Sequence, residues 1–347
     1  MQSNEPFRAA ARATSGPSSA TPPATMRAMI RTAYGAPDTL RLAEIPIPVL
    51  KEDEMLVQVI AAGIDAGSWH LVTGKPYLMR LAGFGLRAPK NPVPGLAFAG
   101  RVSSVGTAVS KFRVGDNVIG SAPGAYAEFL TTTESQVRWM PQELDHAHAA
   151  ALPISAVTAL EAVRDAGIQP GHRVLVLGAG GGVGHYVVQL ATAAGGQVTG
   201  VASAAKEDFV RSLGATEFLD YHSTEPTDLD RAWDVIIDTA GNRPLRRLRR
   251  VLASRGTLVI VGGENGGPLL GGTERLMTAA IANAFTRQRL RGLMSRENPA
   301  DYETLSTLVS EGNLMPHLDR SFPLADTAAA IDYVRRGDAR GKVVVSP

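Results

Sequence analysis

The run Arg173-Val-Leu-Val-Leu-Gly-Ala-Gly-Gly-Gly-Val-Gly184, continued by His185-Tyr-Val-Val-Gln-Leu-Ala191, constrains the fold more than any other stretch of the chain. A short apolar strand runs into a glycine turn that opens a helix. Glycine is needed where a turn is tight and where backbone must approach a bulky anion closely. The first N–H groups of the helix are unpaired and lie at the positive end of its dipole, so they suit that anion. Ala179, Gly181 and Gly184 satisfy A-x-G-x-x-G, a relaxed form of the dinucleotide fingerprint. Alone such a loop is weak evidence; between a strand and a helix, in a series of βα units, it is strong. It points to a dinucleotide pyrophosphate resting on Gly181, Gly182, Val183 and Gly184.

That series is present. After Ala150, apolar strands alternate with helical stretches at Val174–Leu177, Val183–Ala194, Val198–Ala202, Lys206–Leu213, Glu217–Tyr221, Asp234–Asp238, Pro244–Leu252 and Thr257–Val261. The alternation predicts an α/β fold, a doubly wound parallel sheet of Rossmann type over residues 151–284. From Met26 to about Ala150, short strand patterns punctuated by Gly and Pro suit a small barrel. Residues 285–347 carry a strand-like piece near Leu290–Met294, helices at Asp301–Glu311 and Asp326–Arg336, and a last strand at Lys342–Val345. Residues 1–25 are rich in Ala, Ser, Thr and Pro, with no hydrophobic period, and read as a disordered tail. A transit peptide is the alternative; a dispensable tail, with Met26 as the usual first residue, is preferred.

The second strand identifies the dinucleotide. An acid at its end would bind the ribose 2′-hydroxyl of NAD. Here the strand ends in Val201-Ala-Ser-Ala-Ala-Lys206, with no acid at that end. Small residues leave room for a 2′-phosphate, Ser203 can hydrogen-bond it and Lys206 can neutralise it, which favours NADPH. Tyr221, at the end of the third strand, lies on the same edge and either supports that phosphate or caps the strand. Asp238-Thr-Ala-Gly241 and Val261-Gly-Gly263 follow further apolar strands; Gly262 and Gly263 would let the nicotinamide ribose approach the backbone.

Thirty-five Lys and Arg against thirty-three Asp and Glu give a net charge of +2, so no surface built for nucleic acid is expected. Five arginines between Arg243 and Arg250 read as the outer face of an amphipathic helix. The chain has no cysteine, which removes disulfides, thiolate-ligated metal and a thiol nucleophile. His146-x-His148 diverges on a helix and is no metal pair. No stretch reads as a membrane span, no secretory signal is present, and neither a membrane partner nor a bound metal is expected.

Taken in order, Met26-Arg-Ala, Ala61-Ala-Gly-Ile, Gly67-Ser-Trp-His70, Phe112-Arg-Val-Gly-Asp116, Gly124-Ala-Tyr-Ala-Glu128, Val157-Thr-Ala-Leu160, Gly181-Gly-Val-Gly184, Ser212-Leu-Gly-Ala215, Asp220-Tyr221 and Gly341-Lys-Val-Val344 are jointly specific. The chain resembles the medium-chain dehydrogenase/reductase superfamily, in its zinc-free quinone oxidoreductase-like branch, over about Met26 to Val345. The stretch Trp69–Pro92 is similar to reticulon-interacting NADPH oxidoreductases and their bacterial relatives. The resemblance implies a GroES-like, partly open β-barrel domain built from the N-terminal part and the C-terminal tail, with a Rossmann domain inserted between them. It implies NADPH, a quinone or carbonyl-conjugated substrate, an active site in the cleft, and commonly a homodimer; a cytoplasmic enzyme is expected. Asp65 stands where the zinc enzymes carry Cys and the zinc-free ones often carry Asn. Pro94-Gly-Leu-Ala-Phe98 replaces the region of a second zinc ligand.

Without a metal Lewis acid, a quinone or enone is an easier acceptor than a simple carbonyl, because the developing oxyanion needs only hydrogen bonds and a proton. The catalytic candidates are Asp65, Tyr77 and His70. Asp65 reads equally as a loop cap, Tyr77 as a barrel aromatic and His70 as a structural histidine; Trp69 more often packs than reacts. Thr158 is a candidate for the nicotinamide side of the cofactor. Two functions follow: an NADPH-dependent, zinc-independent quinone or enone reductase, or an NADPH-binding sensor or interaction protein with vestigial catalysis.

Overall fold

Val, Leu and Ile alternating with polar or small residues give the first part of the chain its period-two pattern, which folds as antiparallel strands. The computed structural model describes residues 24–262, 267, 269, 271–295 and 298–347. The expected tail up to residue 23, and Gly263, lie outside them. Strand β1 (Thr25–Ile30) pairs with β2 (Arg41–Pro46). Strand β3 (Glu54–Ile64) pairs with β4 (Ala97–Val105) and β6 (Phe129–Thr133); β4 pairs with β5 (Asn117–Ser121), and β5 with β7 (Val137–Trp139). Met55, Val57, Phe98, Val118 and Tyr126 fill the interior of this barrel.

The second half changes period. Strands β8 (Arg173–Leu177), β9 (Gln197–Ala202), β10 (Glu217–Asp220), β11 (Trp233–Asp238), β12 (Leu252–Ile260) and β13 (Arg289–Gly292) form one parallel sheet in the order β10-β9-β8-β11-β12-β13. Val174 to Leu177 are fully buried, as a central strand covered on both faces requires. The order reverses between β8 and β11, and ligands of such sheets lie at the strands' carboxyl ends beside that switch point.

Two strands carry the chain back. Strand β14 (Leu318–Pro323) pairs with β15 (Lys342–Ser346), and β15 runs antiparallel beside β3, with Val344 opposite Gly63. The chain's end therefore completes the N-terminal barrel. One apolar cluster joins Ala61, Ala99 and Ile119 of the barrel to Val157, Val176, Tyr186 and Val187 of the parallel-sheet domain, so the two share a core at their junction.

Two boundaries differ from expectation. Thr25 already pairs in β1, opposite Pro46. The return to the barrel begins later than residue 285, since β13 belongs to the parallel sheet and the helix Pro299–Ser310 packs on the helix Ser155–Ala166. In Arg289-Leu-Arg-Gly292 only Leu290 is buried, so this edge strand has no apolar run to mark it.

Candidate functional site

The glycine loop leaves β8 and turns back on itself before the helix Gly184–Ala193. Gly178 adopts φ +81°, and the N–H of Gly181 donates to its carbonyl at 3.0 Å. A Cβ on Gly184 would overlap that same carbonyl oxygen, so the helix can start there only on glycine. Gly182 differs: its Cβ would meet nothing nearer than 3.6 Å, the closest atom being Lys342 Cδ. One glycine permits the turn; the other has room for a methyl group, in ordinary contact with Lys342, Gly341 and Ser155. His185, fully buried, holds the loop from below; its Nδ1 pairs with the Gly181 carbonyl at 3.0 Å, and the His317 N–H donates to its Nε2 at 3.4 Å. Burial lowers its pKa to about 3, so it is a neutral ring with the proton on Nδ1.

At the ends of β9 and β10, Ser203 opens a short 3-10 turn that its side chain does not cap. Tyr221 is exposed, its N–H on the Ala202 carbonyl at 3.2 Å. Lys206 is turned elsewhere. Only 8% exposed, its ammonium donates to the carbonyls of Gly337 and Ala339 at 2.8 and 2.5 Å. Its stem crosses Gly180, where a Cβ would come within 2.7 Å of Lys206 Cδ. Burial lowers its pKa. The expected phosphate-neutralising lysine instead ties the glycine loop to the returning chain. Another cation reaches this corner: Arg340 Nη2 donates to the Ala205 carbonyl at 2.8 Å. The sequence held no signal for Arg340, which lies 135 residues further along the chain.

The ends of β11 and β12 are braced together. Asp238 is fully buried; it accepts from the Gly241 N–H at 2.9 Å and from Arg275 Nη2 at 2.6 Å. Arg275 Nη1 also reaches the Gly262 carbonyl at 3.3 Å. Gly262 is required where it stands, since a Cβ there would lie 2.7 Å from the Thr239 carbonyl oxygen. Thus Asp238 shapes the turn that the sequence assigned to the ribose.

At the domain junction, Asp65 is an anchor. Its Oδ1 accepts from Lys342 Nζ and from Ser155 Oγ. It also caps the helix Ala66–Thr73 in a reciprocal box with Ser68. Lys342 is buried, and it donates further to Ser155 Oγ at 2.9 Å and the Ile64 carbonyl at 3.2 Å. Ser155 is delivered by a strained turn: Ile154 has φ +66° and ψ −65°, with the Ser155 N–H on the Pro153 carbonyl at 2.7 Å. A β-branched residue in this region costs about 1–3 kcal/mol, offset by the contacts it directs. Held by an ammonium and a hydroxyl, the Asp65 side chain is a counter-ion and helix cap at the domain junction.

The other candidates separate. Tyr77 is half exposed, with the Arg80 guanidinium 4.7 Å from its ring centre. The Nδ1–H of His70 donates to the Lys75 carbonyl at 2.8 Å, which ties the ring to the loop after its helix. Thr158 donates to the Ile154 carbonyl at 2.6 Å, leaving its hydroxyl lone pairs to accept. His148 pairs with Asp145 at 2.8 Å and His146 with Asn117 at 3.3 Å. Among the described residues, no three His, Asp or Glu side chains gather as a metal site. Three of the five arginines in and before the helix Leu245–Arg250 are engaged at home: Arg243 with Glu225, Arg250 with Asp228 and Arg249 with Gln288.

Comparison with known proteins agrees with this architecture. A family profile described as "Alcohol dehydrogenase GroES-like domain" matches residues 51–142, and one described as "Zinc-binding dehydrogenase" matches residues 213–345. The chain is 31% identical to the chloroplastic quinone-oxidoreductase homolog of Spinacia oleracea, over 93% of this chain and 98% of that protein. It is 30% identical to the chloroplastic NADPH-dependent alkenal/one oxidoreductase of Arabidopsis thaliana, over 94% and 80%. Among solved structures, the quinone oxidoreductase from Coxiella burnetii superposes with a TM-score of 0.79 at 26% identity, covering 93% of this chain and 99% of that one.

Proposed function

Because the chain belongs to the medium-chain dehydrogenase/reductase superfamily, as a zinc-independent oxidoreductase of its quinone oxidoreductase-like branch, we propose that it reduces quinones or α,β-unsaturated carbonyl compounds at the expense of NADPH. The observation that carries this reading is the glycine loop Gly178–Gly184, which turns tightly into a helix N-terminus at the switch point of the parallel sheet. The fit is physical: the loop offers glycine backbone and the positive end of a helix dipole, which is what a pyrophosphate would need there.

Gly181, Gly182, Val183 and Gly184 would hold the pyrophosphate. Ser203, Tyr221 and Arg340 would hold the ribose 2′-phosphate, with Lys206 keeping the loop in place from behind. The Gly262 turn, fixed by Arg275, would receive the nicotinamide ribose, and Thr158 would accept from the carboxamide. Bound NADPH supplies a hydride.

The protein's part is orientation and charge. Asp65, Lys342 and Ser155 lock the two domains in one register, so cofactor and acceptor meet at fixed distance. The Tyr77 hydroxyl, its ring held against the Arg80 guanidinium, would donate a hydrogen bond to the oxygen on which charge develops. His70 would take part only through Nε2, since its Nδ1 is held by the Lys75 carbonyl.

The purified protein is expected to oxidise NADPH with quinone or enone acceptors, unaffected by chelators. Tyr77→Phe should lower kcat by about 10- to 100-fold with NADPH affinity kept. NADPH binding without turnover across a broad acceptor panel would replace this reading with a sensor role. We infer a homodimer: Met277, Ile281 and Phe285 are exposed at helical spacing beside the outermost strand β13. Light scattering checks its mass.

A further inference from the structure

The helical turns Tyr77–Met79 and Arg80–Phe84 are built inside out. Their polar groups point inward. Arg80 Nε donates to the Gly74 carbonyl at 2.8 Å, and the guanidinium stacks between Tyr34 and Tyr77, 4.3 and 4.7 Å from the two ring centres. The Tyr34 hydroxyl donates to the carbonyls of Phe84 and Gly85, 2.8 Å from each. Their apolar side chains point outward: Leu81 is 71% exposed, Leu86 65%, and Leu78 and Phe84 about 40%. Leu269, 66% exposed, extends the same surface, since its carbonyl accepts from the Leu78 N–H at 3.3 Å. A helix facing only water places its side chains the other way round.

The rim of this apolar row is basic. Lys75, Arg87 and Lys90 are exposed around it, and the chain carries no acid between Asp65 and Asp116. Apolar side chains flanked by Lys and Arg, with no acid to repel phosphate, match the boundary between acyl chains and anionic headgroups. We propose that this face docks peripherally on an anionic lipid bilayer. An apolar protein partner would answer the leucines alone; the unopposed cations select the bilayer. No described helix is long and apolar enough to cross a membrane, and none is needed. A spanning segment announces itself by its apolar length, whereas surface docking requires only a short exposed row, which the order of residues does not mark.

Docking does not depend on the proposed reduction, but it serves it. Pro76 packs on Gly271, so the docked segment sits against the loop that follows β12, at the carboxyl edge of the parallel sheet. A lipophilic acceptor dissolved in the bilayer would meet the protein on that side.

The test is sedimentation of the full chain with vesicles of phosphatidylcholine alone or with about one-third phosphatidylglycerol. Binding should rise about tenfold or more on the anionic vesicles and fall at high salt. Leu81→Asp with Leu86→Asp should return binding to the phosphatidylcholine level, with circular dichroism and NADPH oxidation by a small water-soluble quinone unchanged. Lys75→Glu with Arg87→Glu and Lys90→Glu should abolish the anionic preference. Absence of binding, equal binding to both vesicles, or binding indifferent to both variants would overturn the proposal. So would a dimer that the leucine variants dissociate. If the wild type binds vesicles but oxidises no NADPH with any acceptor, the proposed reduction fails and the docking stands.

Discussion

Gly182 and Gly184, two residues apart, have different tasks, and substitution separates them. Gly184→Val places a side chain where the Gly178 carbonyl already is; the loop must open, and both NADPH binding and thermal stability should fall. Gly182→Ala meets only ordinary contacts. Its melting temperature should stay within a few degrees while NADPH affinity drops about tenfold, because the methyl group would stand between the loop and the Lys342–Ser155 pair, on the side of the domain junction. Fluorescence titration and thermal melts distinguish the pair. Lys342 carries a second residue-scale prediction. Its buried ammonium neutralises Asp65, and Lys342→Met leaves that carboxylate with Ser155 but no counter-charge. The loss should be about 3–5 kcal/mol in urea unfolding, and Asp65→Asn in the same chain should recover most of it.

The helix Gly184–Ala193 carries its own pH dependence. His185 is neutral in the folded protein, with a pKa of about 3 against 6.5 in the open chain. Below pH 6.5 the unfolded chain binds a proton that the folded one refuses. Stability from this residue is therefore complete above pH 6.5 and declines as pH falls toward 3, by up to about 1.4 kcal/mol per unit. His185→Gln should flatten that part of a melting-temperature profile. At this scale the sequence was legible wherever burial is two-sided. The apolar run Val174–Leu177 announced β8, and the apolar strand Trp233–Asp238 likewise matched its prediction at Asp234–Asp238. It was opaque at Arg289–Gly292, because an edge strand buries little and its arginines resemble a loop.

Across the whole molecule, the returning segment stitches the domains together. Lys206 and Arg340 exchange the tasks that their positions suggest: the first bonds carbonyls of the return segment, and the second reaches back over the end of β9. Lys206→Met should lower the melting temperature by several degrees while leaving the preference for NADPH over NADH nearly intact. Arg340→Ala should do the reverse, weakening NADPH about tenfold with NADH little changed, as expected for the loss of a charged hydrogen bond to phosphate. Paired titrations with both nucleotides check this, and equal losses for the two would place the phosphate elsewhere.

The chain's own order determined the α/β architecture, the glycine turn and the absence of thiolate chemistry, because local period, turn geometry and residue type are properties of neighbours in sequence. Tertiary structure alone decided that Asp65 is a counter-ion, that Lys206 is a stitch, and that Arg275 and Arg340 stand at the strand ends. Those roles depend on which long side chain reaches a given carbonyl or carboxylate first, across 37 to 277 residues of chain. Periodicity carries no information about a meeting at that distance; only the packed core that fixes both partners does.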